Sequence, residues 1–212
     1  MKDMPVKSML LIGPTGVGKT PFGDYLEERG LGGKRCFHFD FGHQLRSAAR
    51  HDGPAAEFTR GEYEFIRKVL DEGLLLEDEH FHIAEKVMDV FLHRSGFGGD
   101  DILVLNGLPR HAGQALDMGR KVNITCLAVL DCDAEDIYTR IRDNTGGDRL
   151  GRADDGIEMV RRKLDIFHQR TAPLIRYYEA AGRGIFRLKV THSSTAGDLY
   201  SDFLSLAKSL RI

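Results

Sequence analysis

Gly13-Pro14-Thr15-Gly16-Val17-Gly18-Lys19-Thr20 directly follows the apolar run Met9-Leu10-Leu11-Ile12, and this junction decides the fold. The run reads as a buried strand, and the residues after it have the spacing G-x-x-x-x-G-K-T. Glycines let the backbone turn sharply with no Cβ in the way. Successive N–H groups can then face phosphate oxygens, and a helix starting near Lys19 adds its positive end. Lys19 brings charge for β- and γ-phosphates, and Thr20 brings a hydroxyl for Mg²⁺. A lone glycine-rich loop is weak support. The full pattern between a strand-like and a helical run outweighs the reading of a merely structural loop. It predicts that Gly13, Pro14, Thr15, Gly16, Val17, Gly18, Lys19 and Thr20 hold the polyphosphate of a nucleoside triphosphate.

The chain has 212 residues and a formal net charge of −2. That length allows one substantial core with room for a small inserted lobe. The charge balance argues against a protein that coats nucleic acid, although local basic clusters can still grip a small anion. Cys36, Cys126 and Cys132 show no metal-ligand spacing and suit a reducing compartment, with Cys36 and Cys126 read as buried thiols. No stretch approaches the ~20 apolar residues of a membrane span, and the N-terminus lacks the apolar core of an export signal. A soluble cytoplasmic protein is expected.

Strand-like runs alternate with helical patterns, which is the signature of a mostly parallel sheet covered on both faces. Strands are expected at residues 8–12, 35–39, 101–105, 124–130 and 185–190. Thr59-Arg60-Gly61-Glu62 has capping-box spacing, so a helix should begin there and end near Gly73. Asp78 is expected to cap the next helix. After Asp154 and Asp155 the longest periodic segment carries Ile157, Val160, Leu164, Phe167, Leu174, Ile175 and Tyr178, with Pro173 expected to kink or split it. Leu199, Phe203, Leu206 and Leu210 read as a terminal helix. Two stretches break the alternation. Residues 41–97 hold helices with no convincing strand and are expected to form a helical lobe. The polar, glycine-rich residues 142–153 suit either a mobile flap carrying arginines or a passive surface loop.

Asn106-Gly107-Leu108-Pro109-Arg110 follows the apolar run Ile102-Leu103-Val104-Leu105. Asn106 therefore lies at the carboxyl edge of the sheet, where open α/β folds place their ligands. Arg110 is then positioned to reach the cleft of the phosphate loop. The histidines are scattered, and His80 and His82 on one helix point in different directions, so no metal cluster is expected.

In this order the motifs resemble the adenylate kinases and the wider nucleoside monophosphate kinase family, over nearly the whole chain. They are the phosphate loop, Gly42-His43-Gln44-Leu45-Arg46, Asn106-Gly107-Leu108-Pro109-Arg110 with Gln114 behind it, Arg140, Gly151-Arg152-Ala153-Asp154-Asp155, and Thr171-Ala172-Pro173-Leu174-Ile175-Arg176-Tyr177-Tyr178. The resemblance implies one P-loop nucleoside triphosphate hydrolase-like three-layer α/β/α domain over residues 1–212. Its five-stranded parallel sheet would have the order 2-3-1-4-5. Residues 41–97 would bind the acceptor nucleotide, and 142–153 would form a short lid without structural zinc.

The resemblance further implies transfer of a phosphoryl group from Mg-ATP to a nucleoside monophosphate, AMP first, by a monomer acting on small-molecule nucleotides. Lys19 would follow the migrating group, while Arg46 and Arg110 hold the acceptor phosphate. Phe41, Gly42, His43, Gly107 and Gln114 would complete the acceptor site. Arg152, helped by Lys163 or Arg162, would stabilise the equatorial oxygens, and Arg140 would stack on the adenine of ATP. Arg142 and Arg149 are both candidates for the remaining lid arginine. Asp154 and Asp155 would anchor the hinge, beside their plainer reading as helix cap and first-turn acid. Thr20 directly, and Asn106 through a water, would organise Mg²⁺. Lid closure would exclude water as the acceptor.

Four departures accompany the resemblance. Asn106 stands where the family has an aspartate, so its amide can orient a water but brings no charge. Phe41 replaces a threonine of the base pocket, and an aromatic face stacks without replacing a hydroxyl's hydrogen bonding. Lys163 stands where a second catalytic arginine is expected, and the adjacent Arg162 is turned ~100° away on a helix. The segment from Arg142 to Arg149 is longer than a compact short lid. Two alternatives therefore stay open: a P-loop kinase acting on another nucleotide or small metabolite, and a nucleotide-binding regulator with weak or lost kinase activity. A GTPase is disfavoured because no Asn-Lys-x-Asp segment is present.

Overall fold

A computed structural model of the chain describes residues 5–50, 58–74, 76–148 and 157–209. Its strands are β1 (Val6–Ile12), β2 (Cys36–Asp40), β3 (Ile102–Asn106), β4 (Val122–Cys132) and β5 (Gly184–Val190). All pair in parallel, in the order 2-3-1-4-5 anticipated for the sheet. The helices are α1 (Lys19–Arg29), α2 (Phe41–Ala49), α3 (Arg60–Glu72), α4 (Phe81–Ser95), α5 (Ala112–Met118), α6 (Ala134–Arg142), α7 (Ile157–Ile166), α8 (Pro173–Ala180) and α9 (Ala196–Ser209).

The apolar run of β1 explains the layering. Side chains alternate between faces, so a strand buried on both must be apolar throughout. Met9 and Leu11 pack with Phe22 and Leu26 of α1 and Phe203 of α9. Leu10 and Ile12 face the opposite layer, with Leu45 of α2, Ile66 of α3, Val87 of α4 and Leu174 of α8. Each such buried side chain contributes about 1.5–3 kcal/mol. Leu210 of the expected terminal helix lies outside the described residues, as do Arg149, Arg152, Asp154 and Asp155.

Between β2 and β3 the described chain is helical, and α3 starts as its sequence dictates. The Thr59 hydroxyl accepts from the Glu62 N–H and Glu62 accepts from the Thr59 N–H, while Gly73 closes the helix at φ +61°. Asp78 is not at the N-cap position of α4, which falls at His80. It opens a tight 3₁₀ turn, Asp78–His80, held by the His80 N–H on the Glu77 carbonyl at 2.9 Å, so α4 starts only at Phe81.

The long C-terminal helical segment splits before Pro173. A π turn, Phe167–Thr171, carries the Ala172 N–H onto the Phe167 carbonyl at 2.8 Å. Pro173 then occupies the first turn of α8, where a missing N–H costs nothing. Cys36 is buried while Cys126 and Cys132 are half-buried, and all three are free thiols. Burial pushes Cys36 up to about 12, which makes it a poor nucleophile.

Candidate active site

The loop after β1 turns against the sheet and into α1. A Cβ on Gly13 would meet the Leu130 carbonyl at 2.8 Å, so only glycine permits this approach. Gly16 and Gly18 have φ of +81° and +102°, and Gly18 is the N-cap residue that precedes α1. Val17 between them is fully buried and pins the loop to the core. Lys19 Nζ donates to the Gly13 and Pro14 carbonyls, both at 2.7 Å, and so lies across the loop. A loop of this form offers N–H groups, a helix N-terminus and an ammonium to one anion.

At the carboxyl edge of the sheet, Asp40 of β2 and Asn106 of β3 are paired in register, with Thr20 above them. The Thr20 hydroxyl donates to Asp40 Oδ2 at 2.6 Å, and Asn106 Nδ2 lies 3.1 Å from the same oxygen and 3.2 Å from Thr20 Oγ1. Burial pushes the Asp40 carboxyl up. The Thr20 hydroxyl, the His43 N–H and the nearby His38 and Arg46 outweigh this and hold it below its ordinary value. Behind Asn106, His38 is buried between Asn106, 3.3 Å from its Nε2, and Asp24, 2.7 Å from its Nδ1. The hydroxyl and the carboxylate are hard oxygen donors of the kind Mg²⁺ takes. Among the described residues no three His, Cys, Asp or Glu side chains gather for a metal. A divalent ion here would therefore need phosphate oxygens as further ligands.

The same cleft continues past Gly42 and Gly107 to a second cationic end. Arg46 and Arg110 line it, with Phe41, Gln114 and Lys163. Arg110 is exposed only in part, and the protein packed around it lowers its pKa by desolvation to about 10. Among the described residues its guanidinium has no hydrogen-bond acceptor. Its backbone is held at both ends: Gln114 Oε1 accepts the Arg110 N–H at 2.8 Å, and the Thr171 hydroxyl donates to the Arg110 carbonyl at 2.8 Å. Gln114 Nε2 donates to the Leu76 carbonyl at 2.8 Å, so one N–H and one lone pair of this amide remain for a ligand.

The other expected residues divide. Lys163 lines the cleft, whereas Arg162 is exposed and does not, as their one-residue offset on α7 requires. The exposed His43 gives its N–H to Asp40 Oδ1 at 2.8 Å and does not line the cleft. Arg142 is exposed and bonds Asp143 at 2.7 Å. Arg140 is buried against the loop, with Nη2 2.9 Å from where a Gly18 Cβ would stand. Its Nη1 donates to the Thr191 and Ser194 carbonyls at 2.8 and 2.9 Å, while its Nε has no partner among the described residues. Asp40, Thr171 and Phe167 are cleft residues that sequence reasoning missed. Asp40 was discoverable, because it ends the strand that had to lie beside Asn106.

Parallel order 2-3-1-4-5, a glycine loop after the central strand and facing cations at the carboxyl edge define a P-loop kinase-type protein. No family model matches the chain. The adenylate kinase of Chloroherpeton thalassium is 29% identical over 206 residues, covering 82% of this chain and 87% of its own. That of Thermus thermophilus is 26% identical over 200 residues, covering 92% and 94%. UMP-CMP kinase 1 of Oryza sativa subsp. japonica is 28% identical over 148 residues, covering 69% of this chain and 54% of its own. With this fold, those matches support a P-loop nucleoside monophosphate kinase assignment. Among the described residues no helix is long and apolar enough to cross a membrane.

Proposed function

We propose that the protein transfers the γ-phosphoryl group of Mg-ATP to a nucleoside monophosphate, with AMP the first acceptor. Arg110 carries this reading. It is a desolvated cation with no acceptor among the described residues, in the same cleft as Lys19. An enclosed guanidinium left without an anion is costly, and a phosphate relieves it. The loop at 13–20 would hold the donor phosphates, and Arg110 with Arg46 the acceptor phosphate. Two such stations in one cleft give the alignment on which phosphoryl transfer depends.

The residues then have distinct tasks. Lys19 would leave the Gly13 and Pro14 carbonyls for the donor phosphates, and Lys163 would add charge beside the transferring group. Arg152, in the segment proposed as a lid, would complete the clamp and exclude water, with Arg142 or Arg149 beside it and Asp154 and Asp155 at its hinge. Mg²⁺ bound at Thr20 would supply charge neutralisation across the β- and γ-oxygens. Arg140 would flank the donor base from its seat behind Gly18.

A second reading, a different nucleoside monophosphate as acceptor, is favoured by Phe41, which lines the cleft and offers a stacking face and no hydroxyl. Initial rates of ADP formation from Mg-ATP with AMP, CMP, UMP, GMP or dTMP, against ATP alone, decide between them. AMP is expected to give the highest rate. A faster rate with CMP or UMP selects the second reading, and nucleotide binding without transfer to any acceptor refutes both.

A further inference from the structure

We infer that Asp40, on the strand beside Asn106, is the carboxylate that organises Mg²⁺ at Thr20, and that Asn106 serves to aim it. This assignment rests on the nucleotide-kinase reading above. The sheet edge holds an amide on β3 and an acid on β2, paired in register. Their hydrogen bonds fix which does what. Asp40 Oδ1 accepts the His43 N–H at 2.8 Å, which leaves Oδ2 turned toward the Thr20 hydroxyl at 2.6 Å. Asn106 Nδ2 faces Asp40 Oδ2, Thr20 Oγ1 and His38 Nε2 at 3.1, 3.2 and 3.3 Å.

The reversed amide would set its oxygen against a carboxylate, so the orientation with the NH₂ group inward is the one these neighbours support. An inward NH₂ donates and cannot accept from a water on the metal. Asp40 supplies what the site needs: its Oδ2 accepts the Thr20 O–H, so that the hydroxyl's lone pair is available to Mg²⁺, and its charge lies beside that hydroxyl. The charge missing from β3 is thus present one strand away. His38, itself fixed by Asp24, keeps the amide from turning.

The test reads binding, not turnover. Calorimetric titration with AMP-PNP, a non-hydrolysable ATP analogue, with and without Mg²⁺ gives the factor by which the metal tightens the nucleotide. Asp40→Asn keeps the amide-compatible cap of α2, as its far-UV spectrum should verify. It should reduce the Mg²⁺ factor by roughly 10–100-fold. The exchange variant D40N/N106D, which restores one acid at the edge, should recover most of the factor. An undiminished Mg²⁺ factor in D40N, or an exchange variant no better than D40N, overturns the assignment alone. A wild-type protein that fails to bind AMP-PNP under either condition overturns the nucleotide reading with it.

Discussion

The Thr171 hydroxyl donates to the Arg110 carbonyl at 2.8 Å, fastening the π turn of residues 167–171 to the loop after β3. The wider turn sets Thr171 inward, where it is buried, at the point where a regular helix would have changed its facing. Thr171→Val keeps the volume but strips the carbonyl of its donor, at a cost of about 1–3 kcal/mol. Urea unfolding should show that loss. Steady-state kinetics should show a raised KM for the acceptor with KM for ATP unchanged. Equal KM values for both substrates in wild type and variant would mean that Thr171 serves the fold alone.

Arg110→Lys separates charge from geometry. Lysine retains the positive end of the cleft but loses the planar fork that suits a phosphate. Loss of one charge-assisted hydrogen bond, about 1.5–3 kcal/mol, predicts a roughly 10–150-fold rise in acceptor KM. ATP affinity should be nearly unaffected, which equilibrium titration checks.

Gly23→Ala tests the support beneath the proposed metal edge. An alanine within a helix is normally worth ~1 kcal/mol over glycine. Here a Cβ would collide with the ring of His38, which is pinned by Asp24 and Asn106. The sign should reverse, with a loss of about 1–3 kcal/mol from overpacking. Thermal unfolding reads the sign, and a gain in stability would remove His38 from its fixed place.

Glu62 links the start of α3 to Lys86 of α4, at 3.0 Å. Burial raises its pKa, but the Thr59 N–H and hydroxyl and the Lys86 ammonium outweigh this and hold it below the ordinary 4.5. A carboxylate depressed in the folded state adds stability in full above its unfolded value, and that stability is lost as pH falls through the lower folded value. The unfolding free energy of wild type minus Glu62→Gln should be level at pH well above 4.5 and shrink below it. A difference independent of pH would show that only the neutral cap matters.

The strands were legible because a sheet covered on both faces demands unbroken apolar runs such as Met9-Leu10-Leu11-Ile12. Thr59, Glu62 and Gly73 announced α3 because their signals are local and act within one turn. The helix expected after Asp78 starts only at Phe81 because a 3₁₀ turn intervenes. The π turn escaped a reading based on a 3.6-residue period, and with it the cleft positions of Phe167 and Thr171. Asp40 lies one residue beyond the strand expected at 35–39 and ends β2 in the structure. Its meaning comes from sheet register, which sets it against Asn106 from 66 residues away. Lys163 over Arg162 was decided by which side of α7 meets the cleft, a tertiary fact that two adjacent cations cannot express in sequence.

In the proposed function the cleft delivers a phosphoryl group to a second nucleotide and not to water. A single turnover of γ-³²P-labelled ATP, with the protein and Mg²⁺ in excess and AMP present, tests it most directly. Label is expected in the β-phosphate of newly formed ADP, with little inorganic phosphate. Transfer should also collapse in Arg110→Lys at sub-saturating AMP. Label released as inorganic phosphate at the same rate with and without AMP would contradict it.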